Sequence, residues 1–308
     1  MKGERVLVTG GTGFLGGHLV RRLVALGAVV HVLARPRSSL HRIADVVGQV
    51  TIVSGDMQKR DEVAAAVAAA EPSVVFHLAA EGVDPRMHDA TAIMQTNVLG
   101  LSYLLDAVAE RAGCRVVNTG TCFEYGNQDE PMSESAPIDP LNVYAASKTT
   151  AYHLCLLRGR QGMPIVTLRP FTFFGPWERE DRLIPSVVLD ILRKRPIRIT
   201  SGSQTRDYTF VEDMADAFVR AAACDAALGQ VINVGSGEDH SVREIVERVR
   251  RFMHADQPVE VGAVATRIQE TWRLCADPAR ATTLLGWRPR HTFEEGLAPT
   301  IQWAMSRV

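Results

Sequence analysis

Three glycines between a short apolar run and an amphipathic helix constrain this fold more than any other feature of the chain. They are Gly10, Gly13 and Gly16, which follow the run Arg5-Val6-Leu7-Val8 at intervals of three residues. The first permits a tight turn, the second lets a ligand approach the backbone, and the third lets the helix pack closely on the strand. Because a helix N-terminus favours negative charge, we expect the diphosphate of a dinucleotide here. The predicted contacts are Gly10, Gly13, Phe14, Leu15 and Gly16.

The first half of the chain alternates apolar runs with helical stretches. Buried strands joined by helices form parallel sheets that are covered on both faces. We therefore predict an α/β fold, a Rossmann-type doubly wound parallel sheet with a smaller C-terminal α/β substrate-binding lobe. The predicted strands are 6–8, 29–33, 50–53, 74–78, 115–118 and 165–169, and the predicted helices are 13–26, 61–70, 92–112 and one that ends near 159.

After Pro170 the regular alternation is lost. The run Val231-Ile232-Asn233-Val234 looks like a strand that returns to the main sheet. Helices are expected over 211–223 and 241–253, the second with a capping-box pattern at its start. We predict a dinucleotide-binding domain over 1–172, joined again by 206–235, and a substrate-binding lobe over 173–205 and 236–308.

Charge and cysteine usage exclude several classes of protein. The chain has 34 basic and 35 acidic residues, which gives no electrostatic reason to expect nucleic acid or an anionic membrane. No run of eighteen apolar residues and no room for a signal peptide are evident, so we expect a cytoplasmic protein. The five scattered cysteines form no C-x-x-C pattern. Reduced thiols and no metal site are therefore expected.

The end of the second predicted strand bears on the choice of cofactor. It reads Leu33-Ala34-Arg35-Pro36-Arg37-Ser38, with no acid before Asp45. An NAD site usually places an acid there to bind the ribose hydroxyl. Arg35, Arg37 and Ser38 would instead suit a 2′-phosphate, because a guanidinium pairs with phosphate oxygens. We favour NADP(H), with NAD(H) as the alternative and solvated loop arginines as the simpler interpretation.

Tyr144 and Lys148 form the pattern Y-x-x-x-K. On a helix the two side chains share a face, one turn apart. An ordinary tyrosine, with a pKa near 10, is a poor base at neutral pH. We expect the Lys148 ammonium to lower the pKa of Tyr144 and make it a general acid and base, while Lys148 also holds the cofactor.

The chain resembles the extended short-chain dehydrogenase/reductase family, the nucleotide-sugar epimerases, dehydratases and 4-keto reductases. The resemblance rests on the glycine turn, Asp56-Met57, His77-Leu78-Ala79-Ala80, Asn97, Tyr144-x-x-x-Lys148 and Arg206-Asp207-Tyr208, in that order. It implies that Asp56 and Met57 bind adenine and that Leu78, Ala79 and Ala80 lie under the cofactor's ribose and phosphates. It also implies that Asn97 braces the cofactor side of the sheet and that Phe171 lies near the nicotinamide. On the substrate side, the resemblance implies that Arg206 and Arg267 bind the diphosphate.

The resemblance also assigns a hydroxyl to the site. Relatives carry Ser or Thr five residues before the glycine of a V-Y-G-like ending, which here is Gly126 and gives Thr121. Thr121 would hold the reacting oxygen of the substrate toward Tyr144. Thr119 is the reserve candidate and a cofactor-lining residue.

Departures from the family pattern bear on the reaction. Dehydratases place Asp-Glu directly after the catalytic Thr, whereas this chain has Cys122-Phe123. Epimerases commonly have Asn where Thr172, a candidate substrate-binding residue, stands. The first hypothesis is therefore an NADPH-dependent 4-keto reductase of a nucleotide-linked 4-keto-6-deoxyhexose. The alternative is an NAD-dependent nucleotide-sugar 4-epimerase, and a non-catalytic binder is disfavoured because Tyr144 and Lys148 are both present. The resemblance further implies a homodimer formed by the helices near 92–112 and 143–159.

Overall fold

The computed structural model describes residues 1–84, 89–266 and 270–308. Its first part alternates strands and helices as the sequence predicts. These elements are β1 Arg5–Thr9, α1 Phe14–Ala25, β2 Val29–Ala34, β3 Thr51–Ser54, α2 Arg60–Ala70, β4 Val74–His77, α3 Ala90–Met94, α4 Gly100–Ala109, β5 Arg115–Thr119, α5 Val143–Arg160 and β6 Ile165–Pro170.

The remaining elements contain shorter strands. They are β7 Thr172–Phe174, α6 Leu183–Leu192, β8 Ile197–Ile199, β9 Thr205–Phe210, α7 Val211–Ala223, β10 Val231–Val234, β11 Asp239–Ser241, α8 Val242–Phe252, β12 Val259–Val261, β13 Arg273–Leu274, α9 Ala279–Leu285 and α10 Phe293–Met305.

Within the described residues, seven parallel strands form the main sheet, in the order β10-β6-β5-β4-β1-β2-β3. The chain moves outward from β1 in one direction and then returns to β4 on its other side. The crevice beyond the carboxyl ends of β1 and β4 is therefore a switch point, where ligands bind in such sheets. Val6, Leu7 and Val8 of β1 are fully buried because helices cover both faces. The predicted Rossmann-type α/β fold is confirmed.

The strand β10 pairs with β6 in parallel, with Ile232 beside Leu168. The late segment therefore returns to the main sheet, as its apolar run indicates. The division into a dinucleotide-binding domain and a substrate-binding lobe at the stated boundaries stays a prediction.

The long helix predicted over 92–112 is wrong in detail, because a π-helical turn over Gln95–Leu99 separates α3 from α4. Asn97 lies in this turn and is 1% exposed. Its side chain accepts a hydrogen bond from the Glu81 N–H at 2.8 Å and donates to the Ser147 hydroxyl at 2.8 Å. The wider turn thus lets Asn97 join the loop after β4 to α5, a use of π-turns that is common near functional sites.

The helical run Ala90–Ala109 has the length and apolar composition of a membrane span, with a mean hydropathy of 1.2. Part of its apolar surface belongs to the core of the fold. Leu101, Leu104 and Leu105 are at most 1% exposed and pack in a cluster with residues of α2 and of the sheet. The assignment to the cytoplasm stays a prediction.

The second half of the chain is more regular than expected. The strands β7, β9, β11 and β13 form one small sheet, and β8 pairs with β12. The predicted helices α7 and α8 are confirmed, and Ser241 and Glu244 form the expected capping box. The helices α6, α9 and α10 were not predicted from the sequence, although Thr292 and Glu295 give α10 the same capping signal.

Candidate active site

The glycine turn is shaped by close backbone contacts. Gly10 has φ +69°, and a Cβ there would lie 2.6 Å from the backbone nitrogen of Ala79. A Cβ at Gly16 would overlap the carbonyl oxygen of Gly10. Gly13 caps α1 without a side-chain cap, and the first turn holds no acid. The backbone amides at this helix start therefore suit a diphosphate, and the residues present fit a dinucleotide.

The segments predicted to contact the adenosine end follow β3 and β4. Asp56 is half-buried, and one of its carboxylate oxygens accepts from the Gln58 N–H at 3.0 Å. Met57 is buried. Leu78, Ala79 and Ala80 are half-buried beside the glycine turn. These positions agree with the predicted contacts, whose roles stay predictions.

No carboxylate stands at the carboxyl end of β2 in the described chain. Arg35 and Arg37 are exposed there, Ser38 is half-buried, and neither arginine forms an ion pair with a residue in the described ranges. Asp45, the next acid, is held by Arg21 through two hydrogen bonds of 2.8 Å. The geometry thus leaves the two guanidinium groups open to an anion.

Thr121 and Tyr144 meet at the carboxyl end of the sheet. Thr121 follows β5 and is 5% exposed, while Tyr144 lies in the first turn of α5. The Thr121 side chain is a neighbour of the Tyr144 phenol and acts to lower the pKa of that phenol. The N–H of Ala145, beside it, is capped by the Asn142 side chain at 2.9 Å, which fixes the start of the helix. The two hydroxyls predicted to share the reacting oxygen are therefore neighbours.

Lys148 follows one helical turn later and is 2% exposed. Its Nζ donates to the carbonyl oxygen of Thr119 at 2.8 Å. Burial lowers the pKa of Lys148 to about 8. The buried hydroxyl oxygen of Thr119 has no hydrogen-bond partner in the described chain. An unpartnered buried hydroxyl here fits a bound polar group, as the predicted cofactor-lining role of Thr119 requires.

The expectation that Lys148 lowers the pKa of Tyr144 is wrong for the protein without ligand. Burial raises the pKa of Tyr144 well above its ordinary value, and the charge of Glu124 adds to this effect. Thr121 and the Arg182 cation oppose it without reversing it. Desolvation of the phenolate outweighs these groups, so Tyr144 is protonated at neutral pH.

The nicotinamide candidate Phe171 lies between β6 and β7, and the substrate candidates Thr172 and Arg206 lie on β7 and β9. Phe171 is 2% exposed and stacks on Tyr125, with ring centroids 6.5 Å apart. Thr172 is half-buried opposite Tyr208 in the β7–β9 pair. Arg206, on β9, is held by Glu270 at 2.5 Å. Arg267 lies outside the described residues.

A buried polar network beneath Thr121 was not predicted from the sequence. Glu124 accepts from the Thr121 N–H at 2.8 Å and from Nη2 of Arg169 at 2.7 Å. Glu124 is fully buried, and Arg169 is 1% exposed. Burial also raises the pKa of Cys122 to about 12, so this thiol is a packing residue and not a nucleophile.

A glycine-turn dinucleotide seat with a Tyr–Lys helix beside its switch point defines a short-chain dehydrogenase/reductase. The chain belongs to the NAD dependent epimerase/dehydratase family, whose model matches residues 6–235, and so to the extended branch of that class. It is an enzyme of this family, whose members act on nucleotide sugars.

Individual relatives cover nearly the whole chain. A dTDP-glucose 4,6-dehydratase of Xanthomonas campestris is 30% identical over 97% of this chain and 93% of its own. A UDP-glucose 4-epimerase of Mycolicibacterium smegmatis is 35% identical over 97% and 98%. The solved structure of a Thermus thermophilus UDP-glucose 4-epimerase with NAD matches with a TM-score of 0.86, at 28% identity over 99% and 100% of the two chains.

Proposed function

We propose that this protein is a nucleotide-sugar 4-epimerase, which oxidises the C4 alcohol of its substrate and reduces the ketone again from the opposite face. The observation that carries the proposal is the hydroxyl pair of Thr121 and Tyr144 beside the switch point, with Lys148 one turn away. The similarity to named 4-epimerases supports this alternative over the reductase favoured by the sequence.

The roles of the side chains follow from their positions. Tyr144 exchanges a proton between its Oη and the C4 oxygen, and Thr121 holds that oxygen in place. Lys148 keeps its ammonium under the site and is available to the ribose of the cofactor. A bound nicotinamide dinucleotide, held by the glycine turn, would supply the acceptor and donor of the C4 hydride.

Water elimination is disfavoured by the residues that follow Thr121. A dehydratase needs an acid and a base that act at C5 and C6 of the sugar. The two residues after Thr121, where that acid and base would stand, are Cys122 and Phe123 in this chain. The Cys122 thiol stays protonated because burial raises its pKa to about 12, and a phenylalanine has no proton to exchange. The similarity to dehydratases therefore supports the fold and the substrate class more than their reaction.

The substrate proposal is a nucleoside diphosphate sugar whose diphosphate pairs with Arg206. The Arg206 side chain is 13% exposed and is charge-paired with Glu270. Because carboxylates and phosphates present similar oxygen pairs to a guanidinium, a phosphate could take the position that the Glu270 carboxylate holds beside Arg206. Arg267 remains a further candidate for this diphosphate.

A second candidate function is an NADPH-dependent 4-keto reductase. The open guanidinium groups of Arg35 and Arg37 and the lack of an acid at the end of β2 favour it in the described chain. An epimerase retains its cofactor through each cycle, whereas a reductase consumes NADPH. For the epimerase we propose NAD, as in the Thermus thermophilus structure, and for the reductase NADP(H).

One preparation separates the two candidates. The purified protein is denatured and the released nucleotide identified, and native protein is then mixed with UDP-glucose, UDP-galactose or their N-acetyl forms. Interconversion of a sugar pair without net change in nicotinamide absorbance supports the epimerase. Stoichiometric oxidation of NADPH by a nucleotide-linked 4-keto sugar, with no interconversion, would replace it by the reductase.

We also propose a homodimer that forms through the helical run 90–109 and α5. Leu99 and Leu157 lie on these helices with 47% and 53% of their surface exposed. Large apolar side chains at these positions suit a helix–helix contact between two copies.

A further inference from the structure

Glu124 connects the catalytic turn to the body of the protein. Its Oε1 accepts from the Thr121 N–H at 2.8 Å. Its Oε2 accepts from Nη2 and Nε of Arg169 at 2.7 and 3.0 Å. A Cβ at Gly120 would lie 2.7 Å from Oε1, so the turn packs directly on the carboxylate. The Thr121 backbone is therefore held by a fully buried carboxylate.

Arg169 in turn ties this carboxylate to the catalytic helix. The Cζ atom of its guanidinium lies 4.6 Å from the centroid of the Tyr152 ring. Tyr152 is one turn beyond Lys148 on α5. The Arg169 guanidinium also lies 4.8 Å from the ring of Tyr125 and donates to the Tyr125 hydroxyl at 2.8 Å. Tyr125 donates to Asn233 of β10 at 2.8 Å. The network thus joins the turn, the catalytic helix and the edge of the sheet.

We propose that Glu124, held by Arg169, is a positioning residue that fixes the turn presenting the Thr121 hydroxyl to Tyr144 and places a carboxylate near Lys148. This inference rests on the proposed function, because it assigns Thr121, Tyr144 and Lys148 to the chemistry. Two separable effects follow, one from the length of the Glu124 side chain and one from its charge.

The charge effect acts on both titrating groups of the site. Glu124 raises the pKa of Lys148, opposing the burial that lowers it to about 8. The other neighbours that act on Lys148 are Cys155 and His77. Burial keeps both of these neutral near pH 7, since it raises the pKa of Cys155 to about 12 and lowers that of His77 to about 3. Glu124 also raises the pKa of Tyr144, as does Cys122, whereas Arg182 lowers it.

Two variants separate length from charge. Glu124→Gln keeps the acceptor for the Thr121 N–H but removes the charge, so the pKa of Lys148 falls by about one pH unit. Glu124→Asp keeps the charge but shortens the side chain, so kcat falls about tenfold or more while the pKa of Lys148 stays within a few tenths. Neither variant changes KM for the sugar more than about twofold.

The pKa of Lys148 can be measured without cofactor or substrate. The chain has four lysines, so carbon-labelled lysine gives four NMR signals to titrate, and Lys148→Met identifies the one of interest. The matched control is Glu134→Gln. Glu134 is also nearly buried and accepts from the Asn233 N–H at 2.8 Å, but it does not contact the turn. The kcat of Glu134→Gln and the pKa of Lys148 in that variant are expected to match wild type.

Each result decides the role of Glu124. An unchanged Lys148 pKa in folded Glu124→Gln, or full kcat in Glu124→Asp, overturns the proposal. If both variants fail to fold while Glu134→Gln folds, Glu124 is a structural residue and the proposal is wrong. If wild type converts no nucleotide sugar, the proposed function fails, and the titration of Lys148 still tests the charge effect.

Discussion

The Nζ of Lys148 donates to the carbonyl oxygen of Thr119 at 2.8 Å and so ties α5 to the end of β5. Lys148 belongs to the helix that carries Tyr144, and Thr119 precedes the turn that carries Thr121. One hydrogen bond therefore holds together the two segments that meet in the candidate active site. Burial of the Lys148 cation lowers the stability of the fold, so a substitution here can raise stability while it removes activity.

Lys148→Met is expected to stabilise the protein at neutral pH while turnover is lost. Burial lowers the pKa of Lys148 from 10.5 to about 8, so the unfolded chain binds this proton more tightly than the native state. That difference is worth about 3 kcal/mol, and the lost hydrogen bond offsets about 1 kcal/mol. Urea unfolding at pH 7 should show a gain of about 2 kcal/mol, which shrinks as pH rises from 8 to 10.5. A variant less stable than wild type at both ends of this range would contradict the burial argument.

Tyr144→Phe should lose at least about a hundredfold in kcat, the usual scale of general acid–base catalysis. Cofactor affinity, measured by fluorescence titration, should stay within about twofold because only the phenolic oxygen is removed. Tyr103→Phe is the control, since Tyr103 lies on α4 and its ring packs against the Arg60 guanidinium. Turnover close to wild type in Tyr144→Phe would remove this residue from the mechanism.

Arg35→Asp should shift cofactor preference toward NADH. The change removes a cation from the end of β2 and supplies the carboxylate that a ribose hydroxyl prefers. We expect the ratio of the NADPH and NADH dissociation constants to rise at least about tenfold. Arg251→Asp, an exposed substitution on α8, controls for the change in net charge. Equal ratios in the two variants would show that Arg35 does not face the cofactor.

The pair of Arg206 and Glu270 should respond in opposite directions to substitution. Arg206→Ala is expected to weaken UDP binding at least about tenfold, because a cation for the diphosphate is lost. Glu270→Gln should tighten it, since the guanidinium is released from a competing carboxylate at 2.5 Å. Calorimetric titration with UDP measures both. Weaker binding in Glu270→Gln would mean that Glu270 itself helps to hold the ligand.

Leu157→Arg should convert a dimer into a monomer. Its side chain is 53% exposed on α5, and a buried cation at a helix–helix interface is costly. Sedimentation velocity of wild type and variant measures the change. Met305→Arg alters a residue of α10 that is 62% exposed, and it should leave the assembly unchanged. A wild-type protein that sediments as a monomer would refute the proposed dimer.

The sequence was most informative where burial is uniform. Strands covered on both faces are largely apolar, so runs such as Val6-Leu7-Val8 and Val231-Ile232-Asn233-Val234 could be assigned from composition and spacing. The glycine turn was equally readable, because Gly10 and Gly16 have no room for a side chain. Such constraints are local, and local constraints leave a trace in the sequence.

The C-terminal part was harder to predict because its strands are short. The strands β8 and β13 contain three and two residues, too few for a period to be recognised. Their pairing depends on neighbours far along the chain, such as Val259 beside Ile197. The capping residues of α8 and α10 do mark element boundaries locally.

The sequence by itself determined the sheet, the dinucleotide turn and the identity of the Tyr–Lys pair, because each is specified by residues close together along the chain. Tertiary structure alone decided the electrostatics of that pair. Glu124 and Arg169 are 45 positions apart in sequence, yet they form the ion pair beneath Thr121. The acidity of Tyr144 likewise follows from how deeply the folded chain buries it. Desolvation depends on everything packed around a group, and no short segment contains that information.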